Sequence, residues 1–240
     1  MKITLVFFLF TSLVLAQSNG ILSGMGGKAY ISINTGPSFP LGDFGDKNPQ
    51  NEKSGFAKTG YFVELNGGIR LFNILEFSIV GFRNENGTDL DNLINNFNQS
   101  NPGTNFSGSS DSWVIYGALG GLGVSYPLGY GYFGDFRFLG GYLNSTSPEI
   151  NLQTTLFDTY AKIESSTTSS FVYYFSGSVR RPLTDRIHAS FGFQYLGGGA
   201  NFDNVKTITS INGQINESTT SFQRGMNVWG LTLGLRFILF

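Results

Sequence analysis

The 240-residue sequence predicts an all-β protein: an eight-stranded antiparallel up-and-down transmembrane β-barrel, with short periplasmic turns at one end and four long extracellular loops at the other. Three observations carry this. Apolar and polar residues alternate with period two over long segments, the connections alternate short and long, and the two faces have opposite chemistry. Composition narrows the alternatives. Charged residues are 13%, roughly half the usual quarter, and the 33 Gly are about twice the usual share. A net charge of −1 argues against nucleic acid as a partner, because phosphate binding needs a concentrated basic surface. The absence of Cys excludes disulfides, thiolate metal sites and a cysteine nucleophile. A mean hydropathy of −0.01 excludes a helical-bundle membrane protein.

Taken in order, the chain opens with Lys2 and an apolar run from Ile3 to Ala16, broken only by Thr4, Thr11 and Ser12. Val14-Leu15-Ala16 suits a cleavage site, so residues 1–16 are expected to be a cleaved secretory signal peptide. Residues 17–27 are then an N-terminal periplasmic segment, and 28–240 the barrel domain, with no second domain after it. No later apolar run approaches the ~20 residues of a helical span, so a membrane crossing would have to use a barrel. Strands are expected near 28–37, 59–71, 75–84, 112–126, 131–143, 171–181, 186–197 and 227–240. In the second, Tyr61, Val63 and Leu65 alternate with Phe62, Glu64 and Asn66; in the last, Leu231, Leu233, Leu235 and Phe237 alternate with Thr232, Gly234 and Arg236. Segments of ~9–13 residues suit tilted transmembrane strands, whereas globular strands run nearer 5–6. Short turns fall at 72–74, 127–130 and 182–185, and long polar loops at 38–58, 85–111, 144–170 and 198–226.

One face is Phe, Tyr, Leu, Val and Ile, fit for lipid. The other carries Glu64, Arg70, Glu76, Asp135, Arg137, Arg180, His188, Gln194 and Arg236 among many Gly and Ser. This second face holds too little apolar material for a core, so it is assigned to the interior, where three acids (Glu64, Glu76, Asp135) face four arginines (Arg70, Arg137, Arg180, Arg236). Buried charge is tolerable only when paired. Aromatics near strand ends suggest two interfacial girdles: Trp113, Tyr126, Tyr130, Tyr132, Tyr142, Tyr173, Tyr195 and Trp229, with Phe72 and Phe77.

In the loops, Leu90, Leu93, Ile94 and Phe97 fall at helical spacing and predict a short helix over the mouth. Asn212-Gly213 between alternating segments predicts a β-hairpin rising above the membrane, and loop three, 150–170, suits the same form. The oxygen-rich run from Asn84 to Asn92 lacks EF-hand spacing and gives no metal site. His188, with Ser190 two residues on, is the sole candidate base and is assigned to a lumen hydrogen bond. No catalytic residue, cofactor or metal site is expected.

Four stretches are similar to the outer-membrane β-barrel domain family, the porin-family proteins of Bacteroidota-like Gram-negative bacteria. They are Gly36-Pro37-Ser38-Phe39-Pro40-Leu41-Gly42-Asp43-Phe44, Ser54-Gly55-Phe56-Ala57-Lys58-Thr59-Gly60-Tyr61-Phe62, Arg181-Pro182-Leu183-Thr184-Asp185-Arg186, and Gly234-Leu235-Arg236-Phe237 closing with Phe240. In architecture the chain resembles small OmpX/OmpA-type eight-stranded barrels. The resemblance implies residence in the cell outer membrane amid lipid and lipopolysaccharide. It also implies periplasmic chaperones and an assembly machinery that reads a C-terminal aromatic strand, although Phe240 falls on the opposite parity to Leu235 and Phe237. The function expected is that of a monomeric, non-enzymatic scaffold whose outer loops bind or adhere. A small diffusion channel and a lipid-modifying enzyme are the alternatives.

Overall fold

The computed structural model describes residues 29–71, 74–100, 102–103, 105–154 and 159–239. The expected signal peptide, the segment 17–27, Phe72 and Phe240 lie outside the described residues. The strands are β1 (Ala29–Leu41), β2 (Ala57–Arg70), β3 (Leu75–Thr88), β4 (Ser107–Ser110), β5 (Trp113–Gly129) and β6 (Tyr132–Thr146), then β7 (Ile150–Thr154), β8 (Thr159–Ile163), β9 (Thr167–Pro182), β10 (Ile187–Ile211), β11 (Gln214–Gly225) and β12 (Asn227–Ile238). Among the described residues a helix, α1 (Leu90–Ser100), lies where its spacing predicts.

Eight strands pair antiparallel in the order β12-β1-β2-β3-β5-β6-β9-β10, and β10 pairs in turn with β12, so this sheet closes into a ring. Long connections leave the ring at one end and tight turns close it at the other. At the β5–β6 turn, Tyr130 (φ 51°) and Gly131 (φ 79°) take the left-handed conformation. At the β9–β10 turn, Thr184 Oγ1 accepts from the amides of Arg186 at 3.3 Å and Ile187 at 3.0 Å.

A second sheet stands at the long-connection end, in the order β11-β10-β8-β7-β4. The 25 residues of β10 belong to both sheets: Ile187–Gly198 pairs in the ring, and from Gly199 onward the strand pairs with β11 and then β8. Asn212 (φ 52°) and Gly213 (φ 79°) make the tight turn that Asn-Gly predicts. Several strands therefore outrun their expected ends. β1 continues to Leu41 and β3 to Thr88 because each stays paired there, to Asn227 and Ala57 respectively.

Outward-facing residues of the ring are apolar and exposed, among them Leu65 at 54%, Phe138 at 65% and Leu233 at 63%. The interior differs from expectation in one major respect. Its turn-end half is polar and charged, but its loop-end half is an apolar core that includes Ile115, Leu119, Leu139, Leu143, Val172 and Val228. Phe44, in a 3-10 turn after β1, folds over this half with no exposed surface, edge-on to Trp113 at 5.5 Å. The long connections shield that end from water, so it buries apolar side chains as any core does.

Candidate functional site

Two arrangements could carry function, and the first is the charged half of the lumen. Inward parity brings together six of the seven predicted lumen charges, all buried. Asp135 accepts from Arg180 Nε at 2.9 Å and Nη2 at 3.3 Å, and lies 3.2 Å from Arg236 Nη2. Arg236 reaches Glu76 at 3.8 Å, and Arg137 spans Glu76 at 3.9 Å and Glu64 at 3.5 Å. The chain Arg180–Asp135–Arg236–Glu76–Arg137–Glu64 alternates in sign and sums to zero. Neutral donors complete the acids: Tyr30 Oη to Glu76 at 2.9 Å, Asn34 Nδ2 to Glu64 at 2.8 Å and Tyr174 Oη to Glu64 at 2.8 Å. Phe133 lies under Arg180 at 4.5 Å and Tyr30 under Arg236 at 3.9 Å.

Arg70 departs from its expected place. It is half-buried at the turn end of β2, with no carboxylate within ion-pair distance among the described residues, because the last residue of a ring strand can turn its head to water. It lines a cavity of about 90 Å³ with Glu76, His188 and Arg236.

His188 is buried, and its Nδ1 lies 2.6 Å from Arg180 Nη1. A guanidinium only donates, so Nδ1 accepts, which fixes the neutral Nε2–H tautomer.

Of the predicted aromatic positions, Tyr142, Tyr173, Tyr195 and Trp229 line up at the loop end of the ring. Phe39 stacks on Trp229 at 4.7 Å, Tyr195 pairs with Trp229 in register, Tyr173 lies 6.0 Å from Tyr195, and Tyr142 meets Phe171 at 5.8 Å. Tyr126, Tyr130 and Tyr132 are exposed around the β5–β6 turn, and Phe77 is exposed on β3. Trp113 is a correction. It is 4% exposed, edge-on to Phe202 at 5.7 Å, and its indole N–H donates to the Gly55 carbonyl at 3.0 Å. It shares parity with Ile115, Leu119 and Ser125 on the inner face of β5, and that parity was the available signal. Phe44 had none, since it sits in a connection without periodicity.

The second arrangement is the outer sheet with the loops around it. Asp89 is held by Lys47 at 2.6 Å and Lys58 at 3.3 Å; burial pushes its carboxyl up, yet the two ammonium groups hold it below the usual carboxylate range. Asp46 is likewise held low, by bonds from the Asn51 side chain, the Asn48 amide and the Ser54 hydroxyl. Both carboxylates serve the loops that carry them, and among the described residues no group of three His, Asp or Glu could hold a metal ion.

No protein-family model matches the chain, and no curated protein matches it in sequence. Among solved structures it is similar to a major outer membrane protein from Thermus thermophilus, at 13% identity and TM-score 0.50, over 88% of this chain and 99% of that one. Others are Neisserial surface protein A (13% identity, 88% and 98% of the chains, TM-score 0.42) and Ail, the attachment invasion locus protein of Yersinia pestis (13%, 89% and 100%, TM-score 0.43). The first of these establishes a shared fold over nearly the whole of both chains.

Proposed function

We propose that this protein is a non-enzymatic outer-membrane β-barrel, a sealed surface scaffold whose extracellular sheet and loops bind or adhere. The observation that carries the reading is the inverted ring: exposed Leu, Phe, Val and Tyr outside, ion-paired charge inside. Water on both sides would reverse that arrangement, because apolar surface is what folding removes from water. A hydrocarbon surround accounts for it, and a closed ring leaves no unpaired strand edge in lipid. The aromatic row through Phe39, Trp229, Tyr195, Tyr173 and Tyr142 suits the interface at the loop end.

Both halves of the lumen support sealing. The charged half is spanned by Arg137 and Arg236, and the apolar half is filled beneath Phe44 and Trp113. Binding is assigned to the outer sheet because loops on a rigid scaffold carry recognition. In this reading residues 1–16 export the chain, periplasmic chaperones and the barrel-assembly machinery insert it with Phe240 as the terminal signal, and it works as a monomer among lipid and lipopolysaccharide.

The test is single-channel conductance of the refolded chain 17–240 in a planar bilayer, with insertion verified by a mobility difference between unheated and boiled samples. Verified insertion without discrete current steps is expected. Reproducible steps would transfer the reading to a diffusion channel, and identical mobility would count against a closed barrel.

A further inference from the structure

We propose that the outer sheet carries a groove for a neutral saccharide, formed where β4, β7 and β8 lie side by side. The proposal rests on the reading of this sheet as the ligand-meeting surface and names the class of ligand. The register sets Ser107 opposite Gln153 and Gln153 opposite Tyr160, with Ser109 opposite Asn151 in the next row on the same face. The other face carries Leu152, buried, and Ile163, which packs against the apolar core, so the Tyr160 face looks away from the ring. An open groove of about 470 Å³ is lined mainly by residues of this face and in part by Gly108, Leu152 and Ala161 of the other parity.

Three features select the ligand. First, no ionisable group other than the Tyr160 phenol lines the groove, and Lys162 beside it is bound to Glu149 at 3.0 Å. Phosphates, sulfates and acidic sugars need free facing cations, and Lys162 is already taken by Glu149. Second, Tyr160 is 41% exposed, and among the described residues the side chains of Ser107, Ser109, Gln153 and Tyr160 have no hydrogen-bond partner. They offer one aromatic platform ringed by amide and hydroxyl groups, each able to donate and accept, which matches the C–H face and hydroxyl rim of a pyranose. Third, the groove lies on the sheet's face, where the main-chain groups of β7 and β8 are already paired on both sides. An extended peptide would instead add along the outer side of β4, the last strand of this sheet, one strand beyond the Gln153–Tyr160 pair. Two interstrand steps separate Ser107 from Tyr160, about 10 Å, enough for two linked sugar rings.

The experiment is an amide NMR titration of the isotope-labelled full chain in phosphatidylcholine nanodiscs, which contain no sugar. The probes are maltotriose, cellotriose and chitotriose, with sialyllactose as the charged comparison. Saturable shifts confined to 107–109, 151–153 and 160–161 with at least one neutral probe are expected. Tyr160→Ala and Gln153→Ala should each weaken binding by about tenfold, or about 1.4 kcal/mol of stacking or bonding. Tyr160→Phe should keep most of it, and unchanged ring resonances would show that each variant folds. No shift with any neutral probe, equal shifts with sialyllactose, or full binding by Tyr160→Ala would each overturn the proposal. A chain that inserts and stays silent in a bilayer yet binds no probe loses the groove alone; one that does not insert loses the scaffold reading as well.

Discussion

Asp135 is the residue on which the lumen charges converge, because it faces both Arg180 and Arg236 from a site that is 1% exposed. Asp135→Ala would leave two buried guanidiniums under-compensated. Removing one partner of a buried pair costs about 3–5 kcal/mol, and a loss of that size is expected in urea unfolding of the refolded protein. Glu217→Ala, whose partner Lys206 lies 2.9 Å away on the exposed hairpin, should leave the urea unfolding midpoint nearly unchanged, because water screens that pair. Equal losses for both variants would mean that the lumen network contributes no more than a surface pair. The charges of this network were legible in the sequence because period two assigns a face residue by residue, and a charge on the lipid face of a barrel is costly. Arg70 was not, since parity loses its force at the end of a strand. Trp113 lies near a strand end, where Trp favours an interface, but its parity puts it on the inner face, and parity is the stronger physical signal.

At the scale of elements, what could be foreseen is what has a period or a dedicated turn chemistry. Helix α1 follows from Leu90, Leu93, Ile94 and Phe97 on one face, and the β10–β11 hairpin from Asn212-Gly213. The 3-10 turn at Gly42–Phe44 has neither signal, and it supplies the cap of the apolar half. Its hold on the loop behind it is visible in two bonds, the Gly55 amide to the Asp43 carbonyl at 2.7 Å and the Phe56 amide to the Asp46 carbonyl at 3.0 Å. Phe44→Ala empties a fully buried site, a change that costs about 3–5 kcal/mol where the surroundings cannot collapse. Most of that loss should fall on the loop, because the ring strands keep their ladders. Hydrogen exchange at Gly55 and Phe56 should therefore accelerate strongly while amides around Glu64 and Asp135 stay protected. Acceleration across the whole ring would mean that cap and ring open as one unit.

On the scale of the molecule, β10 raises the question of whether ring and outer sheet are one cooperative structure or two joined by a strand. The pairings favour two. Ring partners of β10 end at Leu196 on β12's side and Gly198 on β9's side, whereas β8 joins it only at Thr207–Ser210. Between them Phe202 stacks on Phe222 at 5.1 Å, both packed with the apolar core, and the register shifts between Phe202 and Val205. Excising 203–221 and joining the ends through Asn-Gly would cut above this stack and leave every ring ladder intact. The shortened chain is expected to insert, to differ in mobility between unheated and boiled samples, and to stay silent in a bilayer. β8 would lose the strand that aligns it, so exchange at Tyr160 and Ala161 should rise and shifts with neutral trisaccharides should vanish. A shortened chain that no longer inserts would show the reverse, that the outer sheet holds the mouth of the ring closed and is as much a part of its stability as of its recognition.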